Sequence, residues 1–119
     1  MFSARRDTKA KAPLPMEGLA GHVTALLDEI QANLLARART FRESHTSSAS
    51  TWEEFRQTME GRPGFVIAPW CETDECEAAI KAETQATIRN IPFGSEPPSG
   101  ACVKCGAPAV VNAWFAKAY

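Results

Sequence analysis

Four cysteines constrain this chain more than any other feature: four residues separate Cys71 from Cys76, and two separate Cys102 from Cys105. Two short-spaced pairs of this kind outline a single closed site, because a structural zinc ion takes four soft thiolates in a tetrahedron. With every coordination position filled by protein, such a site holds structure and leaves no place for substrate. Gly106 follows the second pair directly. Glycine can take the positive φ that closes a tight turn around two sulfurs without a Cβ clash.

Two other readings of the cysteines stay open on spacing alone. Disulfides or four buried free thiols are one, and a redox-active Cys102/Cys105 pair is the other. The redox pair lacks the strand-to-helix context of a thioredoxin-like motif. Compartment weighs against disulfides. No apolar run approaches the roughly 20 residues that span a bilayer, and the opening MFSARRDTKAKAP has no apolar centre of a signal peptide. The expected location is therefore the cytoplasm, with no membrane partner, where disulfides are rare.

Thirteen basic and fourteen acidic residues give a formal charge of −1. Four thiolates with one Zn²⁺ would take this to about −3. Tight, autonomous binding to a phosphate backbone is disfavoured by that balance. At 119 residues, 45% apolar and 23% charged, the chain suits one globular domain.

Periodicity lays out an α+β fold: a long N-terminal helix plus shorter helices packed on a small β-sheet, with a four-cysteine zinc site. Residues 1–15, ending in Pro13, Leu14 and Pro15, read as an extended linker, and residues 16–119 as the domain. Leu19, Val23, Leu26, Leu27, Ile30, Leu34, Ala38 and Phe41 recur at helical spacing and predict an amphipathic helix from Glu17 to Glu43. The rest of the domain is the simplest cover for its apolar stripe. His45 to Ser50 suits a surface turn. Thr51 and Glu54 fit a capping box opening a helix from Trp52 to about Glu60, stopped by Gly61, Pro63 and Gly64. Phe65 to Trp70 is an apolar run of strand length that leads into the first cysteine. Thr73 can cap a helix from Asp74 to about Glu83, whose first turn would hold Cys76 and favour its thiolate through the helix dipole. Thr87 to Ile91 and Val110 to Phe115 read as two further strands, flanking a Gly/Pro-rich loop from Phe93 to Gly100.

Elsewhere the bland reading prevails. Glu72, Asp74, Glu75 and Glu77 are first-turn carboxylates that stabilise a helix, with no histidine near them in sequence to suggest acid–base work. His22 and His45 have no spaced partner, and Lys81 and Arg89 are isolated solvated charges. There is no phosphate loop and no nucleophile elbow. No catalytic residue is assigned in this segment.

The run Trp70, Cys71, Glu72, Thr73, Asp74, Glu75, Cys76, Glu77, then Ile80, Lys81, Glu83, Thr84, Ala86, Thr87, Arg89, Ile91 and Pro92 resembles the C-terminal zinc-binding domain of prolyl-tRNA synthetases of the archaeal and eukaryotic type. The likeness continues through Cys102 to Gly106 and the ending Phe115 to Tyr119, and upstream through Arg6, Asp7, Glu29, Ile30, Gln31 and Arg37. It implies that Cys71, Cys76, Cys102 and Cys105 are zinc ligands. It also implies that residues 1–15 leave a preceding anticodon-binding domain, and that the carboxylate of Tyr119 docks toward a catalytic domain. The family is a class II ligase that activates proline with ATP and charges tRNA-Pro, expected as a homodimer. ATP and proline belong to the full-length enzyme, and this segment alone, without the catalytic domain, should be inactive. The competing reading is an independent zinc-binding module that meets RNA or a protein.

Overall fold

The computed structural model describes residues 1–61, 64–98 and 100–118. They form an α+β structure in two compact units, Met1–Glu43 and Ser44–Tyr119.

The first unit opens not with an extended linker but with a hairpin. β1 (Phe2–Ala4) and β2 (Lys11–Pro13) pair antiparallel, with Ser3 opposite Ala12. Lys9, at φ 63°, lets the connection turn, and Arg5 and Ala10 close it through a 2.8 Å backbone hydrogen bond. Asp7, in that turn, has a fully buried side chain. Its carboxylate accepts from both Nε (3.1 Å) and Nη2 (2.8 Å) of Arg5 and from Nδ2 of Asn33 at 2.6 Å. Arg37 donates to the Asp7 carbonyl at 3.2 Å, and Arg5 also reaches Glu29 at 2.8 Å. The hydrogen-bonded Arg5 guanidinium, with Asn33, outweighs burial and holds the Asp7 carboxyl well below the usual carboxylate range. A polar clamp thus fixes the hairpin to the following helix, α1 (Leu19–Ser44).

The periodic residues of α1 form one helix, as its spacing predicts. No residue of α1 is buried, and Leu27 and Phe41 are 60% and 66% exposed. α1 falls in the same compact unit as the hairpin.

The second unit contains β3 (Thr46–Ser48), α2 (Trp52–Gly61), β4 (Phe65–Trp70), α3 (Asp74–Thr84), β5 (Ala86–Asn90) and β6 (Val111–Lys117). Its sheet has the order β3-β4-β6-β5, with β3 parallel to β4 and β6 antiparallel to both neighbours. Thr46–Ser48, expected within a surface turn, is instead an edge strand. Three small polar residues carry no strand signal, and it is pairing with Phe65, Val66 and Ile67 that extends them. Parallel strands need a crossover, and α2 supplies it between β3 and β4, as α3 does between β4 and β5. Both crossovers step the same way across the sheet, so the usual right-handedness places both helices on one face. That face carries the core: Val66, Ala68, Trp70, Ala113 and Phe115 from the strands against Phe55, Met59 and Ile80 from the helices. Phe55 and Phe115 meet edge to face at 5.2 Å.

The start of α2 is the predicted capping box. Glu54 N–H donates to the Thr51 hydroxyl at 3.3 Å, while the Glu54 carboxylate accepts from the amides of Ser50 (3.0 Å) and Thr51 (3.2 Å). Those amides keep Glu54 ionised to lower pH than usual. Pro63, expected to help end α2, lies outside the described residues, as does Tyr119.

Candidate metal centre

β4 ends at Trp70, and its last residues organise everything that follows. Pro69 lies past the three-residue ladder with β3, so its missing N–H breaks no pairing there. Its carbonyl accepts from Val103 N–H at 2.9 Å, and the Trp70 carbonyl accepts from Val110 N–H at 2.8 Å. These two bonds pin both ends of the 102–109 loop to the end of β4, with Val103 buried beneath. Within the loop, Gly106 N–H donates to the Cys102 carbonyl at 3.0 Å, and Cys102 N–H to the Ala107 carbonyl at 2.7 Å. Gly106 has φ 75°, the left-handed turn foreseen for it.

Cys71 lies one residue beyond β4, and Cys76 lies in the first turn of α3. Glu72 between them bends the chain at φ 58°. All four sulfurs lie within 4.8 Å of one another. Cys71 and Cys105 are 3.7 Å apart, and Cys76 and Cys102 are 4.0 Å apart. A disulfide requires about 2.05 Å, so none of the four is bridged. Metal–thiolate bonds of about 2.3 Å in a tetrahedron put sulfurs about 3.8 Å from each other, and the two close pairs fit that spacing. The quartet could therefore hold a metal ion. Cys76 and Cys102 are buried, Cys71 is half-buried and Cys105 is exposed, so an ion could enter from the Cys105 side.

The thiols of Cys71 and Cys76 differ in acidity. Burial pushes the Cys76 thiol up, helped by its neighbours Cys105 and Cys71, to about 12. Burial also acts upward on Cys71, but hydrogen bonds from the Thr73 hydroxyl and amide, then from the thiols of Cys76 and Cys102, bring it down to about 6. Without metal, Cys71 is shifted toward the thiolate and Cys76 toward the thiol. A divalent ion must displace protons from its neighbours, so affinity for it rises with pH.

Thr73 occupies the N-cap of α3, as the sequence indicates, yet its side chain makes no capping bond. The hydroxyl lies 3.2 Å from Cys71 Sγ instead. Lys104, which carries no signal in the sequence, is 15% exposed; its Nζ pairs with Glu83 of α3 and lies 3.9 Å above the ring of Trp52. A CxxC spacing points to the sulfurs and says nothing of these two neighbours, whose partners are set by the fold. Asp74, Glu75 and Glu77 occupy the first turn of α3, and the metal-capable cluster among the described residues is the cysteine quartet alone. The Ser44 hydroxyl meets His45 Nδ1 at 3.1 Å.

A family model described as the C-terminal region of prolyl-tRNA synthetase matches residues 52–119, more than half of the chain. A proline–tRNA ligase of Lachnospira eligens is 42% identical over 115 residues, covering 97% of this chain and 24% of the relative. Proline–tRNA ligase 2 of Clostridioides difficile is 45% identical over 115 residues, with the same coverage. A crystal structure of prolyl-tRNA synthetase from Cryptosporidium parvum, complexed with halofuginone and AMPPNP, superposes with a TM-score of 0.86. It is 28% identical, and the match covers 98% of this chain and 25% of that one. The chain thus spans about a quarter of the length of the curated relatives it matches. No helix among the described residues is long and apolar enough to cross a membrane. The knuckle at Cys102–Gly106, the cysteine pair around the start of α3 and the matched region coincide, and the chain belongs to the family of prolyl-tRNA synthetase C-terminal domains.

Proposed function

We propose that this chain is a structural and docking segment of a proline–tRNA ligase, in which Cys71, Cys76, Cys102 and Cys105 hold one zinc ion. The four-sulfur quartet carries the reading: its 3.7 and 4.0 Å separations suit a tetrathiolate, and soft thiolates select zinc among common divalent ions. The ion would tie the end of β4 and the start of α3 to the loop before β6. Its contribution is to folding, since apparent binding energies of structural zinc are about 10–16 kcal/mol.

The parent enzyme would activate proline with ATP and charge tRNA-Pro in the cytoplasm, working as a homodimer. Its catalytic and anticodon-binding domains are the partners of this segment. Residues 1–15 would lead out of the anticodon-binding domain, and the exposed stripe of α1 offers an apolar face for docking to the rest of the enzyme. Tyr119 would turn its carboxylate toward the catalytic domain, where a fixed negative acceptor can be used. The segment alone would not activate proline.

Metal analysis of the purified chain, paired with thermal unfolding before and after chelation, tests the zinc assignment. One zinc per chain and a melting temperature lowered by chelation are expected. Metal-free protein with an unchanged melt after zinc addition would overturn it. Proline activation by the isolated chain would overturn the docking role. In a full-length enzyme, removal of Tyr119 is expected to impair proline activation, and an unchanged rate would refute its part.

A further inference from the structure

We propose that Lys104 is a positioning residue for the metal centre, fastening the Cys102–Cys105 loop to α2 and α3 so that two of the four ligands are placed before an ion arrives. This rests on the reading of the quartet as a metal site. Lys104 lies between the two ligands of the second pair, yet its side chain leaves the loop for two other elements. The ammonium pairs with Glu83 near the end of α3 and sits 3.9 Å above the Trp52 ring at the start of α2. Only 15% of the side chain is exposed, against 51% for Glu83. A lysine loses considerable rotamer freedom when held in this way, so an ordinary surface lysine stays in water.

The attachment runs on into the core. Trp52 stacks on Phe55 at 5.4 Å with the rings nearly parallel, and Phe55, fully buried, meets Phe115 of β6. Val103, beside Lys104, is tied by its amide to Pro69 and is itself buried. The loop therefore has two backbone anchors on the end of β4, through Val103 and Val110, and a side-chain anchor, through Lys104, on the two helices. The backbone anchors hold the two ends of the loop, and Lys104 is the side-chain tie beside Cys105, the exposed ligand, so without it Cys105 is held less firmly against Cys71. Groups that hold metal ligands in place are commonly worth about 10–100-fold in affinity.

Cobalt(II) reports both the ligand set and the exchange rate, because a tetrathiolate gives it intense sulfur-to-metal and visible d–d absorption. The 119-residue chain is compared as wild type, Lys104→Met and Lys104→Arg. Methionine keeps the apolar stem without the charge, and arginine keeps both the ion pair and the stacking. All three are expected to show the tetrathiolate spectrum, with Lys104→Met losing cobalt to a chelator about tenfold faster than wild type and Lys104→Arg close to wild type. Urea unfolding separates positioning from plain packing: Lys104→Met should lower the midpoint more in loaded chain than in metal-free chain. Equal release rates for wild type and Lys104→Met, or equal midpoint losses in loaded and metal-free chain, would overturn the proposal. A wild-type chain without the tetrathiolate spectrum would instead refute the metal site itself, and the role of Lys104 with it.

Discussion

At the scale of single residues, Gly64 is the position where the backbone has least choice. Its φ is 148°, and a Cβ there would come 2.1 Å from the His45 carbonyl oxygen, the acceptor for Phe65 N–H that starts the β3–β4 pairing. Gly64→Ala should destabilise the second unit by about 3 kcal/mol, read as a lower urea midpoint. Thr73 makes a different kind of prediction. Replacing its hydroxyl by a methyl in Thr73→Val removes a bond that favours the Cys71 thiolate, while no capping bond is lost. In metal-free chain, alkylation of Cys71 at pH 7 should slow, and its rate should turn on at a pH above about 6. Sequence shows where each of these residues stands but not what it does. Gly106 could be placed in its turn because the turn is local, whereas Thr73 looks like a helix cap because its competing partner sits on the other side of a bend at Glu72.

Among elements, α2 and the paired segments differ in how much of their cause is local. The capping box of α2 is written within four residues, Thr51 to Glu54, and the structure contains it. Thr51→Ala should cost about 1 kcal/mol, measurable by thermal unfolding. β4 is also legible, since an apolar run of strand length followed by cysteine has few other uses. β3 is not, because its strand character comes from Phe65–Ile67 across the sheet. The β1–β2 hairpin escapes a sequence reading for a similar reason: its turn is held by Asn33 and Arg37, far along the chain. That clamp has a pH signature. The folded Asp7 carboxyl is depressed, so its stabilisation is complete above the ordinary aspartate value of about 3.9 and is lost as pH falls through the folded value. Protection of the hairpin amides, measured against their intrinsic exchange rates, should fall on acidification below about pH 4, and Asp7→Asn should flatten that dependence.

In the whole molecule, stability is concentrated in one place. Among the described residues, every member of the buried core, from Ala49 to Phe115, lies in the second unit. A chain comprising residues 44–119 should therefore fold, load metal and melt close to the full chain. A much lower melt would show that α1 supports the core after all. Helical periodicity makes α1 visible along with its apolar face, but an amphipathic stripe does not say which surface meets it. The sheet order carries one more consequence, for biosynthesis. β6 is the neighbour shared by β4 and β5, although among the four strands of this sheet it is made last. During translation β4 and β5 emerge first and wait with open edges until Val111–Lys117 leaves the ribosome. Premature termination anywhere between β5 and Val111 leaves β4 with one open edge and β5 without a strand partner, a ready substrate for proteases, so closure of the sheet reports that translation has passed β6.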